Sequence, residues 1–389
     1  MPSIIDEMMA AFEELDTYRR FLPYAKGSPS DHLTYNDQYT RANVLFFTDS
    51  HIDLREKEAC LDNVARTIDF ANASPVRLDA VVFTGDAITP MGRHPKQEAI
   101  NRFQPFFDEA KRSRSPFIFS KGNHDLNDWN NLPSEVLTDR DFSDMFLSYA
   151  EEHYNIVRQE KATGERSTWH YYDIEDKKIR IISVDTQDTD KVAVNDEGNV
   201  KHYGATSWYI SNEQFAWIAE EALSFDDKKE KEWGVIFALH MLSEDTADHE
   251  SATEKLLCLC EAFQRQGRYD VSYRAPSNRF FDLDIHADFT RYGAYEKKPH
   301  IICVLAGHNH VDKNEVRHGI NVIHTLNNSC TDLCSDARIV RLPGTSTQNA
   351  FDIVNIDTRT RRIRIIRHGA GINCYGVGGD RFLPDGLPY

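Results

Sequence analysis

Five places along this chain set coordinating side chains directly after an apolar run. Asp49 and His51 follow VLFFT, and Gly85-Asp86 follows AVVFT. Gly122-Asn123-His124-Asp125 follows PFIFSK, His240 follows VIFAL, and Gly307-His308-Asn309-His310 follows IICVLA. Carboxylate oxygens, an amide oxygen and imidazole nitrogens are donors that hold divalent cations. Asp49 and His51 stand one residue apart, and in an extended backbone both project to the same side, where they can grip one ion. Each feature alone has an ordinary reading. Asp-x-His is common among surface and capping residues, Gly-Asp after a strand is a turn, Asn-His-Asp suits a turn and helix cap, and a lone histidine is a satisfied core residue. All five recurring after apolar runs is the signal.

The elements that must position these residues are legible. NVLFF (43–47), LDAVVFT (78–84) and SPFIFS (115–120) read as buried strands. Between them, Leu61, Val64, Ala65 and Ile68, then Ile100, Phe103, Phe107 and Ala110, mark amphipathic helices. Short buried strands separated by helices argue for βαβ units and a parallel start. In such sheets ligands bind beyond the C-terminal strand ends, so five strand ends with donors point at one place. Later, STWHYYDIE with IRIISVD, NEVRHGINVIHTL, and FDIVNIDTRTRRIRIIRH read as hairpins, while EWGVIFALH and PHIICVLAGHNH return to buried strands. The basic residues of RTRRIRIIRH alternate with isoleucines and read as a solvated strand face. Residues 185–207 read as a polar loop over an active site, and 267–299 carry no long helix or strand pattern.

Composition narrows the classes. A formal charge of −17 over 389 residues disfavours a general nucleic-acid or anionic-membrane binder, whose partners demand positive potential. Seven cysteines make a poor disulfide framework and suit a reducing compartment. Neither Cys258 with Cys260 nor Cys330 with Cys334 has the two-residue gap of a zinc knuckle. Ile5, Met8, Phe12 and Leu15 recur at helical spacing, so residues 1–40 read as an amphipathic helix and lead-in, a candidate homo-oligomer contact. No signal peptide and no run of 18 apolar residues is present, so the expectation is a soluble, cytoplasmic protein.

In this order, over residues 49–310, the five motifs resemble the calcineurin-like metallophosphoesterase superfamily. The resemblance implies an α/β fold, a four-layer α/β/β/α sandwich of two mixed β-sheets flanked by helices. It would occupy residues 41–370, with insertions near 126–165, 185–207 and 267–299 and a tail over 371–389. It implies one metal held by Asp49, His51 and His310 with Asp86 bridging, and a second by Asp86, Asn123, His240 and His308. His124 would contact the phosphate and assist the leaving group, with Asp125 orienting it. The chemistry is coherent. A phosphate ester repels nucleophiles, and two cations about 3.5–4 Å apart neutralise it and activate a bridging hydroxide. His124 can supply the leaving group's proton. Mixed nitrogen and oxygen donors suit Mn²⁺ first, then Fe²⁺, Zn²⁺, Co²⁺ or Ni²⁺.

Departures from subfamily patterns narrow this further. GDAITP lacks the tyrosine of purple acid phosphatases, and the chain lacks the GDxxDRG and GNHE of Ser/Thr protein phosphatases. GNHD rather than GNRD argues against the lipid-A-pathway pyrophosphatases. GNHD followed by GHNH is shared by many phosphodiesterases, so hydrolysis of a small phosphodiester is the leading expectation. Phosphomonoesterase, DNA or RNA nuclease and a non-catalytic scaffold are the alternatives. Nucleases of the family usually carry a further Asp where Ile88-Thr89-Pro90 stands, and scaffolds lose ligands that are all present here. The C-terminal part is similar to bacterial and prophage-encoded members. Candidate pocket residues are Trp129, His202, Tyr273, Arg274 and Arg279.

Overall fold

The computed structural model describes residues 41–54, 57–74, 76–243, 251–276, 278–330, 339–345, 347–371 and 387–389. The N-terminal helix and its oligomer contact lie outside them.

Runs of apolar residues build the two sheets. In the first, β1 (Arg41–Phe47), β2 (Ala80–Phe83) and β3 (Phe117–Phe119) lie side by side and parallel, and every residue in them is buried. Continuous apolar composition is what a strand covered on both faces requires. β4 (Val157–Glu160), β5 (Arg166–Ile174), β6 (Ile179–Ser183) and β7 (Gly234–Leu239) belong to the second sheet. It continues, past the separate hairpin of β8 (Arg268–Tyr273) and β9 (Leu283–Asp288), with β10 (His300–Ala306), β11 (Lys313–Arg317) and β12 (Ile320–His324). The first sheet is completed by β13 (Ala350–Asp357), β14 (Arg362–Gly369) and β15 (Leu387–Pro388). The spatial orders are β15-β14-β13-β1-β2-β3 and β11-β12-β10-β7-β6-β5-β4. Both sheets are mixed: β13 runs antiparallel to β1, whereas β6, β7, β10 and β12 are parallel and β4, β5 and β11 are antiparallel to their neighbours.

Alternation along β7 shows how the layers stack. Ile236 and Ala238 join the core shared with β1 and β2, while Val235, Phe237 and Leu239 join a second core on the opposite face. Helices α1 (Lys57–Ala73) and α2 (Lys96–Lys111) cover the first sheet through Val64, Ile68, Phe103, Phe106 and Phe107. A third helical stretch, α3, runs as Asp139–Phe142, a π turn at Ser143–Leu147, and Ser148–Tyr154. Its Phe146 stacks on Phe107, centroids 5.0 Å apart. Helices α4 (Asn212–Trp217) and α5 (Ala252–Gln264) cover the second sheet through Phe215, Trp217, Leu256 and Phe263. The result is the expected sandwich of two mixed sheets between helices.

Some patterns read differently in three dimensions. Within 126–165, α3 and β4 are integral to the layers. Within 267–299, where no long helix or strand pattern is read, β8 and β9 form the two-stranded sheet. Its outer strand has no fully buried face, so apolar alternation is weak there. At the far end, Leu387 pairs with Ile363, returning the tail to the sheet edge.

Candidate metal centre

All five donor-bearing loops leave the C-terminal ends of β1, β2, β3, β7 and β10, the first three in one sheet and the last two in the other. The backbone zips the first two loops together: Asp49 N donates to Gly85 O at 2.9 Å, and His51 N to Asp86 O at 3.1 Å. Here the expectation of an extended Asp-x-His needs correction. The strand ends at Phe47, and Asp49 and His51 have φ of 54° and 43°. Their side chains face one another because the chain turns through the left-handed region, not because strand alternation aligns them. Asp86, His308 and His310 share that conformation, with φ of 60°, 72° and 52°. Such backbone costs about 1–3 kcal/mol per residue and persists where the surroundings over-determine it.

The side chains form two groups around one carboxylate. Asp49, His51 and His310 present donor atoms within 4.8 Å of one another, as do Asp86, His240 and His308. His310 Nε2 lies 3.0 Å from Asp49 Oδ1. Asp86 Oδ2 lies 3.2 Å from His240 Nε2 and 3.8 Å from His51 Nε2, so it faces both groups. Asn123 Oδ1 accepts from His240 Nε2 at 2.8 Å and from His308 Nδ1 at 2.9 Å. Glycines permit this crowding. A Cβ on Gly122 would sit 2.1 Å from Asp86 Oδ1, and one on Gly307 would sit 2.3 Å from Thr48 Oγ1.

Three threonines orient the donors. His240 Nδ1 donates to Thr84 O at 2.7 Å, which turns Nε2 into the site. Thr48 Oγ1 donates to Asp49 Oδ2 at 2.6 Å and leaves Oδ1 facing His51 and His310. Thr89 Oγ1 holds His51 Nδ1. Thr48 and Thr89 act through their hydroxyls and Thr84 through its backbone carbonyl, so residue type does not mark the last of these.

Electrostatics divide the donors by charge. Burial pushes His51 down to about 3, and burial with the neighbouring His240 pushes His308 down to about 4, so both imidazoles are neutral. Burial opposes ionisation of Asp49, but His310 and His240 outweigh it and hold the carboxyl at about 2. His240 is the reverse: burial disfavours its charge, yet Asp86 and Asp49 raise it to about 9. Two buried carboxylates thus gather positive charge about them.

The residues fit a pair of divalent cations. The donors are ionised carboxylates, imidazoles and an amide oxygen, the set transition metals prefer. His51 Nε2 is buried without a hydrogen-bond partner, 3.9 Å from Asp49 Oδ1, as expected of a nitrogen aimed at a cation.

His124 and Asp125 take separate places. His124 Nε2 lies 4.0 Å from Asp86 Oδ2, and its ring packs on Trp129 with centroids 4.3 Å apart. Trp129 is therefore the pocket candidate that reaches the site, with its Nε1 donating to Asn123 O at 3.0 Å. The orienting role expected of Asp125 is not seen. Its carboxylate accepts the backbone N–H groups of Gly122 at 2.7 Å, Asp86 and Ala87 at 2.9 Å, and Ile88 at 3.4 Å. His124 Nδ1 has no hydrogen-bond partner. Next to the loop carrying Asp86, the short Asp125 side chain meets a row of orphan N–H groups before it can reach its neighbour's ring. Asp125→Ala should thus cost about 3 kcal/mol or more, since each buried donor left unsatisfied costs about 1–3 kcal/mol. Denaturant unfolding of the metal-stripped protein checks this; a loss below about 1 kcal/mol would contradict it.

The loop 185–207 packs on this region. Gly204 N and Lys191 Nζ both donate to Asp128 Oδ2, at 3.0 and 2.5 Å, and a Cβ on Gly204 would sit 2.2 Å from Asn123 O. Arg274, in contrast, pairs with Asp284 at 2.9 Å on the exposed hairpin.

Two mixed sheets whose strand ends bring two donor groups to one carboxylate define the class, a candidate binuclear metal centre in an α/β sandwich. A family model described as calcineurin-like phosphoesterase matches residues 42–312, well over half of the chain. The chain belongs to that family, whose members are binuclear metal-dependent hydrolases of phosphoester bonds. No curated protein sequence matches it. Among solved structures, an archaeal phosphodiesterase is similar at 12% identity and a TM-score of 0.32, over 84% of this chain and 99% of the other. The phosphopantetheinyl hydrolase of Mycobacterium tuberculosis is similar at 12% identity and a TM-score of 0.32, over 75% and 89%. A Plasmodium protein described as the anchor in the inner membrane complex is similar at 11% identity and a TM-score of 0.37, over 84% of each chain. No helix among the described residues is long and apolar enough to cross a membrane.

Proposed function

We propose that the chain hydrolyses a small phosphodiester at the Asp86 centre, with His124 assisting the leaving group. The observation that carries this reading is the position of Asp86 Oδ2, 3.2 Å from His240 Nε2, 3.8 Å from His51 Nε2 and 4.0 Å from His124 Nε2. One carboxylate oxygen joins both donor groups to the candidate proton donor. Asp49, His51, His310 and Asp86 would hold one divalent ion, and Asp86, Asn123, His240 and His308 the other, Mn²⁺ being preferred. When bound, two such ions neutralise phosphate charge and lower the pKa of water between them.

The remaining work falls to the chain's own groups. His124 N donates to Asp86 Oδ1 at 2.9 Å, so the main chain of the catalytic histidine also aims the shared carboxylate. The His124 ring rests on the Trp129 face, which supports a fixed orientation for a group that would protonate a departing alkoxide. The Thr84 carbonyl keeps a proton on His240 Nδ1, and Thr89 Oγ1 holds His51 by its Nδ1 so that Nε2 faces the site. We read 41–370 as one catalytic domain.

The test compares bis-p-nitrophenyl phosphate with p-nitrophenyl phosphate, using metal-stripped protein with Mn²⁺ restored. Metal-dependent cleavage favouring the diester is expected. Preference for the monoester would make the protein a phosphatase, and two tightly bound ions without turnover of either ester would overturn the assignment for such substrates. The charge of −17 stands against nucleic acid as the substrate, and weak, salt-insensitive retention of oligonucleotides would agree.

A further inference from the structure

A second set of metal-ligating side chains lies apart from the Asp86 centre. On α5, Glu254, Cys258 and Glu261 stand at i, i+4 and i+7, one stripe of the helix. Facing that stripe is the tip of the β11–β12 hairpin, where His318 adopts a φ of 50°. His318 Nε2 lies 2.6 Å from Glu254 Oε1 and 4.0 Å from Cys258 Sγ. The oxygen, sulfur and nitrogen donors all lie within 4.8 Å of one another. Cys260, two positions along the helix, points instead into the second core. For this reason the cysteine spacing in the sequence hides the site: the partners of Cys258 come from a turn below it and from a distant hairpin.

The surroundings match those of a metal ligand set. His318 Nδ1 is 3.0 Å from Glu261 Oε2, the carboxylate–histidine arrangement that directs the other ring nitrogen at a cation. Glu254 is only 3% exposed and its Oε2 is ion-paired with Arg317, which leaves Oε1 for a ligand. Arg317 also donates to Ser243 O, three residues beyond His240. The Tyr269 hydroxyl interacts with the Cys258 thiol.

We propose that Glu254 Oε1, Cys258 Sγ and His318 Nε2 form a further, structural metal site for Zn²⁺ or a similar borderline-soft cation. A thiolate with an imidazole and a carboxylate selects Zn²⁺ or Co²⁺ over Mg²⁺ or Ca²⁺. Binding releases the thiol proton of Cys258 and the proton shared between Nε2 and Oε1, and the cation takes their place. The site would pin α5 to the hairpin and, through Arg317, anchor the segment that follows His240.

The test titrates Co²⁺ into the full-length, metal-stripped protein. The Asp86 centre offers only nitrogen and oxygen donors, so a thiolate-to-cobalt charge-transfer band cannot arise there. In Asp86→Asn, which lacks the two competing catalytic ions, one equivalent should saturate the band. It should vanish in both Cys258→Ser and His318→Gln and persist in Asp86→Asn, which separates this proposal from the catalytic one. No band in the wild-type protein would show a Glu254–His318–Glu261 hydrogen-bond chain only, and would overturn the site. A band that survives Cys258→Ser would belong to another cysteine and would also overturn it.

Discussion

Asp86→Asn is expected to purify with neither ion at the catalytic centre and to lose activity by on the order of 10³-fold or more, at least the cost of losing a single preorganised electrostatic group. The reason is positional. Burial raises the cost of charge on Asp86, yet His240 and His124 outweigh burial and hold its carboxyl well below the ordinary range. One oxygen faces both donor groups while the other is held by His124 N. An asparagine keeps the shape and the second contact, but it removes the negative charge that makes either cation favourable there. Metal analysis of the purified variant, with thermal unfolding to show that it folds, is the measurement. Two retained ions with normal turnover would remove Asp86 from its bridging place.

His124→Ala should have the opposite profile. His124 Nε2 lies 4.0 Å from Asp86 Oδ2 and its ring meets the His51 ring edge-on, centroids 5.3 Å apart, without a hydrogen bond between them, so both ions should remain. Turnover of an alkyl phosphodiester should fall by about 10²–10⁴-fold, the range of a positioned general acid. A p-nitrophenyl ester, whose leaving group needs no proton, should suffer much less. Equal slowing of the two esters would argue that His124 holds substrate rather than protonating it. Trp129 contributes through His124, since its face is the surface on which the ring rests.

Much of this centre was readable from local pattern. A buried strand of three to seven residues precedes the donors at Asp49, Asp86, Asn123, His240 and His308, and the residues after each strand form the loop. Strand identity is legible because residues covered on both faces must all be apolar. In the hairpin of β8 and β9, LDIHAD alternates buried and exposed, but its partner RYDVSY has no fully buried residue, so the pairing carries no two-strand signal. The family resemblance implies that Asp125 orients His124, whereas its partners are Gly122 N and the N–H groups of a loop 37–39 residues upstream. The Asp49–His51 pair was read with strand geometry, and the left-handed turn after Phe47 has no unmistakable marker in residue type.

By itself, the sequence determined the donor inventory, the order of the strands that present it, and membership in a family of metal-dependent phosphoester hydrolases. These depend on residue type and local periodicity, which survive in one dimension. Only the tertiary structure decided which donors face one another across the two sheets. It also decided that the Thr84 carbonyl meets His240, that Asp125 holds the Asp86 loop, and that His318 closes on Cys258. Those outcomes depend on contacts between residues tens to hundreds of positions apart, set by how two sheets and their helices pack, and no local pattern carries that information.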